Sequence, residues 1–229
     1  MIGVVIPAHN EADTIAACLG SVLRAAQHPD LRGEAVRIVV ALDSCSDATG
    51  VICQRLGVTA VSVQVRNVGV ARAAAAAHLL AEGARWLSCT DADSRVPEDW
   101  LAGQLAHGSD VFCGLVDLDP ASAPDRELEA RFRLREQWGD DHGRIHGANL
   151  GISAQAYRTA GGFAALHCAE DVALVERAIG SGARVSWATS PVVLTSARLQ
   201  GRAVGGFADF LAGMALSAAA LPSDAPRAA

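Results

Sequence analysis

The first half of the chain alternates short β-branched runs with helical patterns. The runs are Ile2-Gly3-Val4-Val5-Ile6, then VRIVVAL at 36–42, 58–65, WLSCT at 86–90 and 110–116. Continuous apolar runs among them fit strands covered by helices on both faces. Between the first two, Ile15, Cys18, Leu19, Val22 and Leu23 recur at helical spacing, with Asn10 or Asp13 as candidate caps. Asp47 opens a short helix that stops near Gly57, and the Ala-rich stretch 69–82 predicts a helix ending at Gly83. Pro97-Glu98-Asp99 forms a good first turn for a helix running to about Ala106. This order predicts an α/β fold with a mainly parallel central sheet flanked by helices.

The second half is less regular. Residues 119–124 read as a loop and 125–138 as a charged helix with Leu128, Phe132 and Leu134 or Arg135 near its inner face. Residues 152–158 and 168–179 read as helical pieces, the second ended by Gly180 or Gly182. Residues 185–187 and 192–195 read as two short strands. With no linker dividing them, the 229 residues predict a single domain.

Composition narrows the function. The 25 acidic against 19 basic residues argue against a nucleic-acid binder, because phosphate backbones attract basic surfaces. An anionic ligand would need a local solution, such as a metal ion or a helix N-terminus. The six cysteines show no C-x₂-C spacing and several lie in apolar runs, which predicts buried free thiols in a reducing compartment. MIGVVIPAHN has neither a basic start nor a long apolar run, so no signal peptide is expected and the placement is cytoplasmic. The apolar segment 203–221 contains Asp209 and many small residues, favouring a packed helix over a membrane span.

The chemistry gathers where the strand runs end. Ligands of open parallel sheets lie beyond the carboxyl ends of the strands. Those ends carry Pro7-Ala8-His9-Asn10-Glu11, then Asp43-Ser44, Arg66-Asn67 and Asp91-Ala92-Asp93. Two carboxylates one residue apart can hold a hard divalent cation and leave coordination sites for substrate phosphates; equally, they can cap a solvated turn. Asp43 either accepts from a nucleoside or caps the following helix. Asn67-Val68-Gly69 opens a helix whose free N–H groups favour anions; Arg72, one turn in, either joins that site or faces solvent.

The segments VVIPAHNEADTI, ALDSCSDAT, NVGVARA and TDADS, in this order, resemble the family 2 glycosyltransferases of the GT-A fold. HGANLGI at 146–152, AGGF at 160–163 and AEDV at 169–172 extend the likeness over about residues 1–200. The resemblance implies a Rossmann-like single domain: residues 1–117 bind a nucleotide sugar, 118–205 form the acceptor-binding and catalytic half, and 206–229 make a C-terminal helix and tail. It implies metal-dependent, hexosyl-type transfer from a nucleotide-diphosphate sugar, a UDP-sugar first, to a small-molecule or lipid-linked acceptor hydroxyl. Pro7, Ala8, His9, Asn10, Glu11 and Asp43 would hold the nucleotide, with Asn67 and Arg72 along the base or diphosphate. Asp91, Ala92 and Asp93 would be the family's D-x-D, with Asp93 the more direct ligand of Mn²⁺ or Mg²⁺. Gly147, Ala148 and Asn149 would line the sugar and acceptor side. Asp171, beside Glu170, would be the general base. Arg198 and Arg202 would clamp an anion or stay solvated, and a third metal ligand could come from His142, His146 or His167. The chain departs from processive members in lacking their Gln/Arg-x-x-Arg-Trp motif. The alternatives are a non-catalytic sugar-nucleotide-binding protein of the same fold and, disfavoured by the lack of a Gly-rich basic loop after the first strand, a nucleotidyltransferase. The C-terminal helix is left with three roles: contact with the inner membrane face, closure of the core, or a homodimer contact.

Overall fold

The computed structural model describes residues 1–123, 126–136, 139, 141–201 and 205–219. The chain runs β1 (Ile2–Ala8), α1 (Ile15–Ala25), β2 (Val36–Asp43), α2 (Thr49–Arg55), β3 (Thr59–Val63), α3 (Val68–Ala81), β4 (Trp86–Cys89) and α4 (Trp100–Ala106). It continues with β5 (Val111–Leu118), α5 (Arg126–Glu136), β6 (Leu150–Ser153), α6 (Ala154–Thr159), α7 (Glu170–Gly180), β7 (Val185–Thr195) and α8 (Phe207–Ala219). The strands form one sheet in the order β3-β2-β1-β4-β6-β5-β7. All neighbours are parallel except β6, which is antiparallel to both β4 and β5.

Alternating side chains of the central strands serve two cores, one on each face. Val4 and Ile6 pack with Leu19, Val22, Trp100, Phe132 and Leu211 from α1, α4, α5 and α8. Val5 packs with Ala75, Leu79, Leu174 and Val175 from α3 and α7. Burial on both faces is why the strand runs read as unbroken apolar stretches. All of β1 is buried apart from a half-exposed Pro7.

Several expectations need correction. Neither Asn10 nor Asp13 caps α1: Thr14 holds that position, and the first free N–H groups go to the Glu11 carbonyl. Residues 150–153 form β6 rather than opening a helix, because the strand is buried on both faces and its apolar run is too short to show a period. The two short C-terminal strands are one strand, β7. It pairs with β5 in two stretches separated by a register shift between Gly114 and Val116. Asn149 fastens this irregularity, its amide donating to the Leu115 and Pro191 carbonyls at 2.8 Å each. On α5, Leu134 is exposed and Glu136 is the buried residue of the last turn. Cys18, Cys53, Cys89 and Cys113 are buried free thiols as expected, but Cys45 is half-buried and Cys168 exposed. The C-terminal helix packs through Ala208, Leu211 and Met214. Among the described residues no helix is long and apolar enough to cross a membrane.

Candidate active site

The carboxyl ends of β1, β2 and β4 open into one cleft of about 670 Å³. It is closed on the far side by the 145–148 segment, the start of α7, the 195–198 segment and the first turn of α8. Pro7, Ala8, His9, Glu11, Asp43, Asn67, Arg72, Asp91, Ala92, Asp93, Gly147, Ala148, Glu170, Asp171 and Arg198 all line it. Residues separated by up to 191 positions therefore line one cleft.

The loops that follow β1 and β2 are tied to one another. Asn10 takes a left-handed backbone, and its Oδ1 accepts from the Ser46 N–H at 2.8 Å, which locks the β1 loop to the β2 loop. His9 Nδ1 lies 2.6 Å from the Asp43 carbonyl and so donates to it. The Asp43 carboxylate accepts from the N–H groups of Val65, Arg66 and Asn67 and from the Ser44 hydroxyl, at 2.6–3.0 Å. Burial pushes its pKa up, but these four donors outweigh burial and hold it below the ordinary value. Three of them fill Oδ1; Oδ2 takes only Asn67, leaving it room to accept one more donor from the cleft. Asn67 then caps α3, its Oδ1 accepting from the Val70 N–H at 3.0 Å.

Arg72 joins that helix to the chemistry. It is 3% exposed, so the solvent-facing alternative is excluded. Its guanidinium donates to the Gly147 carbonyl at 2.8 Å and to Asp91 at 2.6 Å, and its Nε lies 2.9 Å from Glu170. Glu170 is buried, which raises its pKa, with Arg72 opposing the rise. Gly147 has no room for a side chain: a Cβ there would stand 2.4 Å from Arg72 Nη2. Its N–H donates to Asp171 Oδ2 at 2.6 Å, so the half-buried Asp171 carboxylate is aimed at the far wall of the cleft.

A second arginine organises the other acids. Arg198 grips Glu11 with two hydrogen bonds, 2.8 and 3.0 Å, and reaches Asp93 at 3.0 Å. Burial pushes the Asp93 carboxyl up to about 7; Arg198 opposes this, while Asp91 and Glu11 add to it. Glu11, Asp91 and Asp93 thus form a surplus of hard oxygen donors in a partly dry cleft. That donor set fits Mg²⁺ or Mn²⁺ held by one or two carboxylates, with the remaining positions left to phosphates. Among the described residues no three His, Cys, Asp or Glu groups are arranged as a complete metal cage. Of the three candidate histidines, His146 and His167 line the cleft, His146 with Nε2 on Glu136 at 2.8 Å and His167 with Nδ1 at the Arg66 carbonyl, while His142 lies near the Ala188 carbonyl and is not among the lining residues.

Two expected residues lie elsewhere. Asn10 does not line the cleft, because its amide is spent on the loop lock. Asn149 is fully buried, accepting from Trp100 Nε1 while it fastens the β7 irregularity, so it does not line the cleft. Arg202 lies outside the described residues. The cleft also uses Ile145, His146, Ser196, Phe207 and Phe210. Of these, the α8 phenylalanines carried only a generic helical signal in the sequence.

A sheet of this order with acids and arginines gathered at its carboxyl rim defines a glycosyltransferase domain of the GT-A type. The profile of glycosyl transferase family 2 matches residues 3–156, and the chain belongs to that family. No curated protein matches the chain. Among solved structures, it is similar to Staphylococcus aureus TarS residues 1–349 in complex with UDP-GlcNAc (TM-score 0.61, 18% identity, 87% of this chain and 59% of that one). It is also similar to the Pyrobaculum calidifontis mannosyltransferase PcManGT in complex with GDP-Man and Mn²⁺ (0.63, 18%, 88% and 58%). A third likeness is to the Mycobacterium tuberculosis glucosyl-3-phosphoglycerate synthase with phosphoglyceric acid (0.60, 20%, 98% and 81%). The chain therefore spans about three fifths of the first two.

Proposed function

We propose that this chain transfers a sugar from a nucleotide-diphosphate donor, a UDP-sugar first, to an acceptor hydroxyl. The observation that carries the reading is the convergence of Glu11, Asp43, Asp91, Asp93 and Asp171 with two arginines on one cleft at the strand ends. Solved structures of the same fold hold UDP-GlcNAc, or GDP-Man with Mn²⁺, which supports the donor class and the metal.

Asp43, through the acceptor capacity left on Oδ2, orients the nucleoside, and the locked β1 and β2 loops supply a rigid floor for it. Asp93 and Asp91 would hold Mn²⁺ or Mg²⁺, which when bound would supply Lewis-acid neutralisation of charge on the diphosphate. Arg72 keeps Asp91 turned into the cleft and ties it to Glu170. Gly147 and Ala148 line the sugar side. Asp171, held by the Gly147 N–H, takes the proton from the acceptor hydroxyl, a poor nucleophile without such a base.

The test is a donor screen that reads release of nucleoside diphosphate, with Mn²⁺, with Mg²⁺ and with EDTA. The expected result is metal-dependent release from one nucleotide sugar, lost in Asp93→Ala. Tight donor binding with no release for any acceptor class would favour a binding protein. Equal release with EDTA would remove the metal.

A further inference from the structure

Arg198 stands where the cation belongs. Its guanidinium makes two hydrogen bonds to Glu11 and lies 3.0 Å from Asp93. The Oδ2 side of Asp93, the more direct of the two proposed metal ligands, is thus already taken by a positive charge. The opposite carboxylate is held differently: Asp91 is bound by Arg72, which is fully enclosed and has two further partners that fix it. Arg198 has no such enclosure, its side chain being 30% exposed. Its backbone is nonetheless anchored, because Ala197 beside it is fully buried and donates to Ser122 Oγ at 2.9 Å. The guanidinium can therefore leave by side-chain rotation, without a change in the course of the chain. Arg72 cannot.

We propose that Arg198 is the resident counter-ion of the cation subsite, and that a divalent ion binds at Asp93 only by displacing its guanidinium. This rests on the reading of Asp93 as a metal ligand. Before loading, the arginine satisfies Glu11 and Asp93, which would otherwise repel each other in a cleft partly shut off from water. After loading, the metal and the guanidinium would stand as like charges at the same Asp93 oxygen in a cleft that screens them poorly, so metal and arginine compete for Oδ2. Competition is reciprocal: whatever the arginine subtracts from metal affinity, the metal subtracts from the arginine's hold on Glu11 and Asp93.

The test is titration of the protein with Mn²⁺ alone, read by loss of the free-ion electron paramagnetic resonance signal. Arg198→Gln, which keeps a polar side chain but removes the charge, should bind Mn²⁺ more tightly by about tenfold, inside the usual range for coupled binding events. Arg198→Lys should stay close to the unaltered protein. Adding Asp93→Asn to Arg198→Gln should abolish the gain. As a second readout on the unaltered chain, Mn²⁺ should increase modification of Arg198 by phenylglyoxal. Arg198→Gln binding Mn²⁺ no more tightly, or more weakly, overturns the proposal. If Asp93→Asn still weakens Mn²⁺ binding in that case, the cation subsite stands and only the counter-ion role falls. If Asp93→Asn changes nothing, both fall together.

Discussion

Arg72→Met tests whether the site is held together by one buried cation. Methionine keeps most of the volume and removes the charge. The Arg72 side chain is 3% exposed and that of Glu170 5%, so the substitution strands a carboxylate in the interior. Breaking a buried pair from one side costs about 3–5 kcal/mol. The Gly147 carbonyl, also buried, loses its donor, a further ~1 kcal/mol or more. The Asp91 side chain is 37% exposed and stays solvated, so its share is at most about 1 kcal/mol. The expected loss is about 4–6 kcal/mol, a large fraction of the ~5–15 kcal/mol that stabilises a typical domain. Urea unfolding followed by circular dichroism at pH 8 reads it directly. The pH dependence has a definite sign. Burial already raises the Glu170 pKa, and without Arg72 it rises further. A native-state pKa above the unfolded one means the folded mutant gains stability as the carboxyl is protonated. The deficit should therefore be largest above neutrality and shrink as pH falls towards the ordinary glutamate value. Adding Glu170→Gln removes the stranded charge and should recover most of the loss. A variant within about 0.5 kcal/mol of the parent at pH 8, the range of an ordinary surface change, would refute the reasoning. So would a deficit that is the same at pH 5 and pH 8.

Asp43→Asn should destabilise by about 3 kcal/mol at pH 7, since an amide cannot accept at both oxygens from a carboxylate's donors. The Asp43 pKa is lowered in the fold, so the stabilisation is present above the unfolded value and lost as pH falls through the lower folded value; melting curves of parent and variant should draw together as pH falls below the ordinary aspartate range. Asp171→Asn should slow turnover by about 10²–10⁴-fold with donor affinity nearly unchanged, measured by steady-state rates beside calorimetric UDP binding; a full-rate mutant removes Asp171 as the base. Gly69→Ala would place a Cβ 1.9 Å from the Ala164 carbonyl oxygen, and only a backbone shift can relieve it. It should lower stability by about 1–3 kcal/mol or more in thermal melts, where alanine at an unobstructed helical position would raise it.

The sequence alone determined the sheet-building half of this molecule. Short apolar runs rich in β-branched residues and bounded by polar turns read as strands, although β3 at the sheet edge proves largely exposed rather than covered on both faces, and the Ala-rich and capped segments between them carry their own helical preference. It also placed the acids at strand ends, because carboxylates immediately after a buried run have to lie where the sheet meets solvent. Local pattern could not identify β6: four residues are too few for an alternation to be told from chance beside the helix that follows, and their strand state comes from filling the gap between β4 and β5. Nor could it tell that Asn149 turns inward while Gly147 turns to the cleft, since both sit in one short motif. Only the tertiary structure decided which arginine meets which acid. Arg72 and Glu170 are 98 positions apart, and Arg198 and Glu11 187. Such pairs are chosen by the closure of the sheet and by the need to neutralise charge where water is excluded, and neither condition exists until the chain has folded.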